Sequence, residues 1–263
     1  MNKRKMQFVP VDANSTARLL LWIAGALAVT HAIVMVLWFT DVLPVNRWLY
    51  IAVFDLDEEE SIGTWFSTLL LFSAGLLTIL TGRLAAPDGG RSSRSWSLLG
   101  SGFILLSIDE VAGFHETVNT LVKSVHWTAF GGVAVILSAI IFIPFLRSLP
   151  ARTRRLFLLA GAVYVGGAIG VEAATLYHEQ NDLLNTLGYN LWTAVEEFME
   201  MAGVALFIRA LLSHIEVELG GAAIWLELGT RAAGSRPEAQ TDAEHALRAV
   251  PDGSTEERHS PAA

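Results

Sequence analysis

Apolar runs long enough to cross a bilayer set the first limit on this chain. Inside hydrocarbon only helices and closed barrels can satisfy their own backbone groups, and a helix needs about 20 apolar residues to cross a core roughly 30 Å thick. Such runs lie at Leu19–Phe39, Ser61–Thr81, from Trp96 towards Glu116, and at Trp127–Leu146, Leu156–Tyr177 and Tyr189–Leu212. Hydrophobic residues make up 52% of the chain and charged ones 17%, a membrane-protein balance. The sequence therefore predicts an all-α, polytopic protein with six transmembrane helices. The first run continues past Gly25-Ala26-Leu27-Ala28, where a signal peptide would end, so it reads as a retained helix. Residues 1–18 form a basic leading segment and 19–213 the six-helix domain. Residues 214–263, rich in Ala, Gly, Pro, Ser and Glu, form a tail expected to be disordered.

The basic residues orient the helices. Lys3, Arg4, Lys5, Arg18, Arg83, Arg91, Arg94, Arg147, Arg152, Arg154 and Arg155 fall in alternate loops, whereas the opposite loops hold only Arg47 and Lys123. The positive-inside rule then puts both termini in the cytoplasm of a multi-pass protein of the plasma (inner) membrane. With no cysteine in the chain, disulfides, thiolate metal sites and Cys nucleophiles are excluded. Nucleotide signatures and Ser-His-Asp arrangements are missing, and no nucleic-acid partner is expected. The expected partner is the lipid bilayer. Oligomeric state is left open.

Ionisable residues interrupt these runs, and in hydrocarbon such residues mark function by default. Asp109, Glu110, Phe114, His115 and Glu116 end the third run; Glu172, Tyr177, His178 and Glu179 end the fifth. Each set is followed by Asn-Thr-Leu (from Asn119 and Asn185) and then by Trp-Thr-Ala (from Trp127 and Trp192). This order reads as an internal repeat in which helices three and four match helices five and six. Given the orientation, Asp57–Glu60, the two repeat motifs and Glu196, Glu197 and Glu200 all arrive at the outer face, and His31 and His126 lean the same way. Asp109 with Glu116, Glu172 with Glu179, and Glu196 or Glu197 with Glu200 share helix faces. At about 1.5 Å per residue, Glu200 should sit on the order of 13–17 Å below the outer boundary.

Carboxylates clustered in a low dielectric without basic partners need protons or a cation, because like charges oppose one another's ionisation. Glu, Asp and His without Cys suit zinc, iron or manganese. The expected metal ligands are Asp109, His115, Glu172, His178, Glu197 and Glu200, with Glu110 and Glu116 as general acid and base. The strict Glu-x-x-His of carboxylate-bridged two-metal bundles is absent. Two functions follow: a metal-dependent membrane hydrolase or oxidoreductase acting on a lipid or amphipathic substrate, or a proton- or cation-coupled transporter using the same acids. A scaffold or sensor with a metal-stabilised mouth is a third. The acids stop on one side, which favours the enzyme. Reporter fusions test the orientation: those at Gly89 and Ala151 should read cytoplasmic and those at Asn46 and Asn181 external, and the reverse pattern would overturn it.

Overall fold

The computed structural model describes residues 11–42, 52–85, 90–114, 117, 121, 126–181 and 183–220. His115, Glu116, most of the basic leading segment and the tail beyond Gly220 lie outside the described residues. Regular structure among the described residues is entirely helical: α1 (Ala13–Phe39), α2 (Ile62–Ala85), α3 (Arg91–Ala112), α4 (Trp127–Ser148), α5 (Ala151–Val165), a π-helical turn (Gly166–Val171), α6 (Glu172–Gln180) and α7 (Leu187–Glu218). The α5, π and α6 segments form one continuous rod.

Local chemistry explains the ends. Asp12 caps α1 by accepting from the Ser15 N–H at 2.6 Å, and the Ser15 hydroxyl, with that N–H, holds its carboxyl below the usual carboxylate range. His126 accepts from Thr128 N–H at the start of α4, and Thr186 from Tyr189 N–H at the start of α7. The fifth helix begins five residues earlier than its apolar run, because Pro150 at the cap leaves Ala151–Arg155 free to wind. Likewise α7 continues past Leu212 to Glu218, a polar extension that hydropathy does not detect.

Among the described residues five helices are long and apolar enough to cross a membrane: α1, α2, α4, the α5–α6 rod and α7. The chain is thus a helical protein with several membrane-length apolar helices. The expected sixth, α3, does not meet that measure. Its 22 residues are helical, but Arg91, Arg94, Asp109, Glu110 and six serines dilute its apolar character.

The packing centre is α7, which contacts α1, α2, α5 and the π turn. Fourteen of its residues are buried, among them Met201, Val204, Ala205 and Leu211. Small residues permit the approach. A Cβ on Gly203 would meet the Tyr164 backbone N at 2.7 Å, and one on Gly167 would meet the Glu196 carbonyl oxygen at 2.8 Å. The α2–α3 pair uses the same device: a Cβ on Gly75 would stand 2.8 Å from the Gly100 carbonyl oxygen, and one on Gly100 would stand 2.7 Å from that of Gly75. By contrast α4 buries only Thr128 and Phe145.

That contrast bears on the repeat. The supposed first copy pairs α3 with a nearly bare α4, whereas the second packs α5 and the π turn along α7. The residue match between the copies is therefore not accompanied by matching packing. Gly100→Val should lower the thermal midpoint in detergent by an amount equivalent to about 1–3 kcal/mol, the usual cost of overpacking. Gly102→Ala, on the same helix with open space around it, should not lower the midpoint, because Ala favours the helix.

Candidate functional site

A cavity of about 1230 Å³ lies among α3, α4, the α5–α6 rod, α7 and the 56–59 loop. Cross-contacts fix its ends. Glu172 pairs with Trp127 and Asn190 with His31 at one end; Trp96 meets Phe145, Phe157 and His214 at the other. Along α7 the lining runs from Tyr189 to Phe207, about 27 Å at about 1.5 Å per residue.

The first end is acidic. Asp57, Glu58, Glu59, Asp109, Glu110, Glu172, Glu196, Glu197 and Glu200 all line it, and no Lys or Arg is among the described lining residues. Trp127 Nε1–H donates to Glu172 Oε1 at 3.2 Å, with His126 Nε2 3.7 Å from the same oxygen. Glu172 also shares a side-chain hydrogen bond with Glu196. Glu197 lies within electrostatic reach of Glu200, Glu110, Glu196 and Asp57. Tyr164, facing Glu200, Glu110, Glu197 and Asp109, and Tyr189, whose hydroxyl donates to Asp57 Oδ1 at 3.3 Å, add phenols to the wall. The other end is apolar. Phe207 lies against Phe103 (centroids 4.5 Å apart) and Phe157 (4.6 Å), with Leu98, Phe142, Phe145 and Leu158 around them.

The acidic loop is held by a pin in α1. His31 is fully buried. Its Nε2 lies 2.9 Å from the Asn190 carbonyl oxygen, and its Nδ1 accepts the Leu56 N–H at 3.0 Å. A carbonyl can only accept and an amide N–H can only donate, so in this arrangement the ring is neutral with its proton on Nε2. Asp55 Oδ1 stands 3.4 Å from Nδ1 and accepts from the Asp57 N–H. Beside the loop, Gly113 takes a left-handed conformation (φ +57°) at the end of α3, and the Glu59 carboxyl fills the space where a Cβ would stand.

Residues 18–215 match the family described as Domain of unknown function (DUF8692). The chain belongs to it. No curated protein and no solved structure matches the chain, so within DUF8692 the chemistry has to be read from the cavity.

Of the site residues expected from sequence, Asp109, Glu110, Glu172, Glu197 and Glu200 line that one cavity, and His178 does not. The His178 ring stands 6.3 Å from that of Tyr189, and its Nδ1 makes no hydrogen bond with the described residues. His115 and Glu116 lie outside the described residues. Among the described residues no group of three His, Asp or Glu could hold a metal ion. The acids are strung along several helical turns of four elements, and Glu172 is engaged by Trp127 and Glu196. Sequence reasoning left Glu196, Trp127 and Tyr189 out of the site. The Trp-Thr-Ala tripeptide at Trp127 was the available signal, read only as part of the repeat. His31→Leu should cost about 1–3 kcal/mol, because it leaves the buried Leu56 amide unsatisfied. The measurement is exchange at the Leu56 amide, which should become faster while exchange in the middle of α7 stays slow.

Proposed function

We propose that this protein is a membrane enzyme acting on a lipid or other amphipathic substrate drawn from the bilayer. One observation carries the reading: a single cavity joins an acid-lined end to an aromatic, apolar end, so an amphiphile can place its head and its chain in complementary surroundings. Sparse contact between α3 and α4, together with the bare flank of α4, offers the chain a lateral way in.

In this reading α3 is the sixth span, and it turns Asp109 and Glu110 to the cavity rather than to lipid. Asp109 and Glu172 hold matched places in the repeat. The hydrogen-bonded Glu172–Glu196 pair and Glu110 beside Glu197 are the groups suited to hold and return a proton at a reacting head group. A divalent metal (zinc, iron or manganese) would supply an activated water there. Asp109, Glu172, Glu197 and Glu200 would hold it only together with further ligands, for which His115 and Glu116 are the candidates. The acidic end faces outward and both termini lie inside. The carrier alternative needs a relay to the far side, and past Glu200 the lining on α7 offers Gly203, Val204 and Phe207, none of which can pass a proton.

The test compares membranes holding the wild-type protein with membranes holding Glu197→Gln/Glu200→Gln. Lipid extracts should differ in at least one amphipathic species, with the substituted protein resembling empty membranes and still folded by circular dichroism. Identical extracts from all three would overturn the enzyme reading. Metal analysis of the purified protein checks the cofactor separately: stoichiometric zinc, iron or manganese supports it, and metal-free active protein removes it.

A further inference from the structure

We infer that the amphiphile taken into the cavity carries a positive charge in its head group: an ammonium or quaternary-ammonium amphiphile rather than a neutral or anionic lipid. The inference rests on the reading that the cavity takes an amphiphile, and adds which kind.

The volume points to an occupant. Helical interiors are packed to crystal-like density with few voids larger than a water, and small-molecule sites commonly enclose about 300–1,000 Å³. A space of about 1230 Å³, bordered on one side by the sparsely packed α4, is large enough to admit a single-chain amphiphile. Its apolar end, walled by Phe103, Phe157 and Phe207, suits a hydrocarbon chain because burying methylenes there removes them from water without leaving polar groups unpaired.

Charge complementarity selects the head. Glu172, Glu196 and Glu197 face the polar end, and the donors facing Glu172 are the Trp127 N–H and the His126 ring. The hydrogen bond between Glu172 and Glu196 needs one proton, and a phosphate, sulfate or carboxylate head would still meet the negative charge of the remaining carboxylates with no Lys or Arg among the described lining residues to offset it. A neutral head would leave the acids to water alone. An ammonium gains attraction from each ionised carboxylate, in surroundings less screened than bulk solvent. The aromatic wall agrees with this. The Trp127 ring is held by its bond to Glu172 and the Tyr189 hydroxyl by its bond to Asp57, so two electron-rich rings stand beside the acids, where aromatic faces attract cations.

The test uses the purified full-length protein in neutral maltoside micelles and three probes with one chain length: dodecyltrimethylammonium, dodecanol and dodecyl sulfate. Occupancy is read by native mass spectrometry across a concentration series. The cationic probe should bind at least about tenfold tighter than either of the others, equivalent to about 1.4 kcal/mol. Glu172→Gln/Glu196→Gln should lower that preference while leaving dodecanol binding unchanged, and a preference equal to that of the wild type would overturn the role given to these two acids. If this variant fails to fold, the wild-type preference decides alone. If dodecanol or dodecyl sulfate binds as tightly as the ammonium, the inference about the head group is overturned, while the amphiphile-binding cavity of the proposed function stands. If none of the three binds, the cavity does not take single-chain amphiphiles, and both readings fall.

Discussion

A carboxylate in hydrocarbon is costly, about 2.5–3.5 kcal/mol near the helix centre on insertion scales, and α7 carries three acids within five residues, Glu196, Glu197 and Glu200. The arrangement of the other helices follows from where those acids can go. They cannot face lipid, so α7 sits at the packing centre and turns them to an internal space. The partners that close that space bring their own acids to it: Asp57–Glu59 ahead of α2, Asp109 and Glu110 on α3, and Glu172 on the α5–α6 rod. Gathering them shares the desolvation cost around one polar volume in place of four separate lipid-facing sites.

The π-helical turn at Gly166–Val171 ties the packing to the site. Turns of this kind are uncommon and recur at functional positions. Here its glycines let the rod approach α7 closely, with Gly167 against the Glu196 carbonyl and the Glu200 side chain. Immediately after it comes Glu172, whose carboxyl meets both Trp127 and Glu196. Close packing and a wider turn are thus combined at the level where the carboxyls converge. His31 does the same for the loop ahead of α2, converting a buried polar group on α1 into two fixed backbone partners.

Legibility differed by kind of information. Helix existence was readable at every described span, because membrane-length apolar runs allow one solution. Helix ends were readable only to within a few residues, since polar extensions such as Ala151–Arg155 and Ser213–Glu218 follow capping and chain continuity rather than hydropathy. For α3 the sequence is ambiguous: serines and charges lower its apolar character while its helix persists, so among the described residues five helices reach membrane length by composition and α3 does not. The repeat shows why a residue match is weaker than a packing match. Trp127 and Trp192 occupy corresponding sequence positions, yet one lies on a helix with two buried residues and the other on a helix with fourteen.

By itself the sequence determined that the chain is helical, that several helices are of membrane length, and that acids on four segments gather at one end of the bundle. Those properties depend on hydrocarbon thickness, backbone hydrogen bonding and helix direction, all of which are local or count along the chain. Only the tertiary structure decided that Asp109, Glu110, Glu172, Glu197 and Glu200 share one cavity with Glu196 and Asp57, that His178 lies aside from it, and that Trp127 and Tyr189 stand in its wall. It also decided that the described residues bring together no set of three metal ligands. These are matters of helix rotation and contact distance. A helical period places a residue on a face, but which neighbour that face meets is set by the glycine contacts that let helices close on one another, and these depend on the whole bundle.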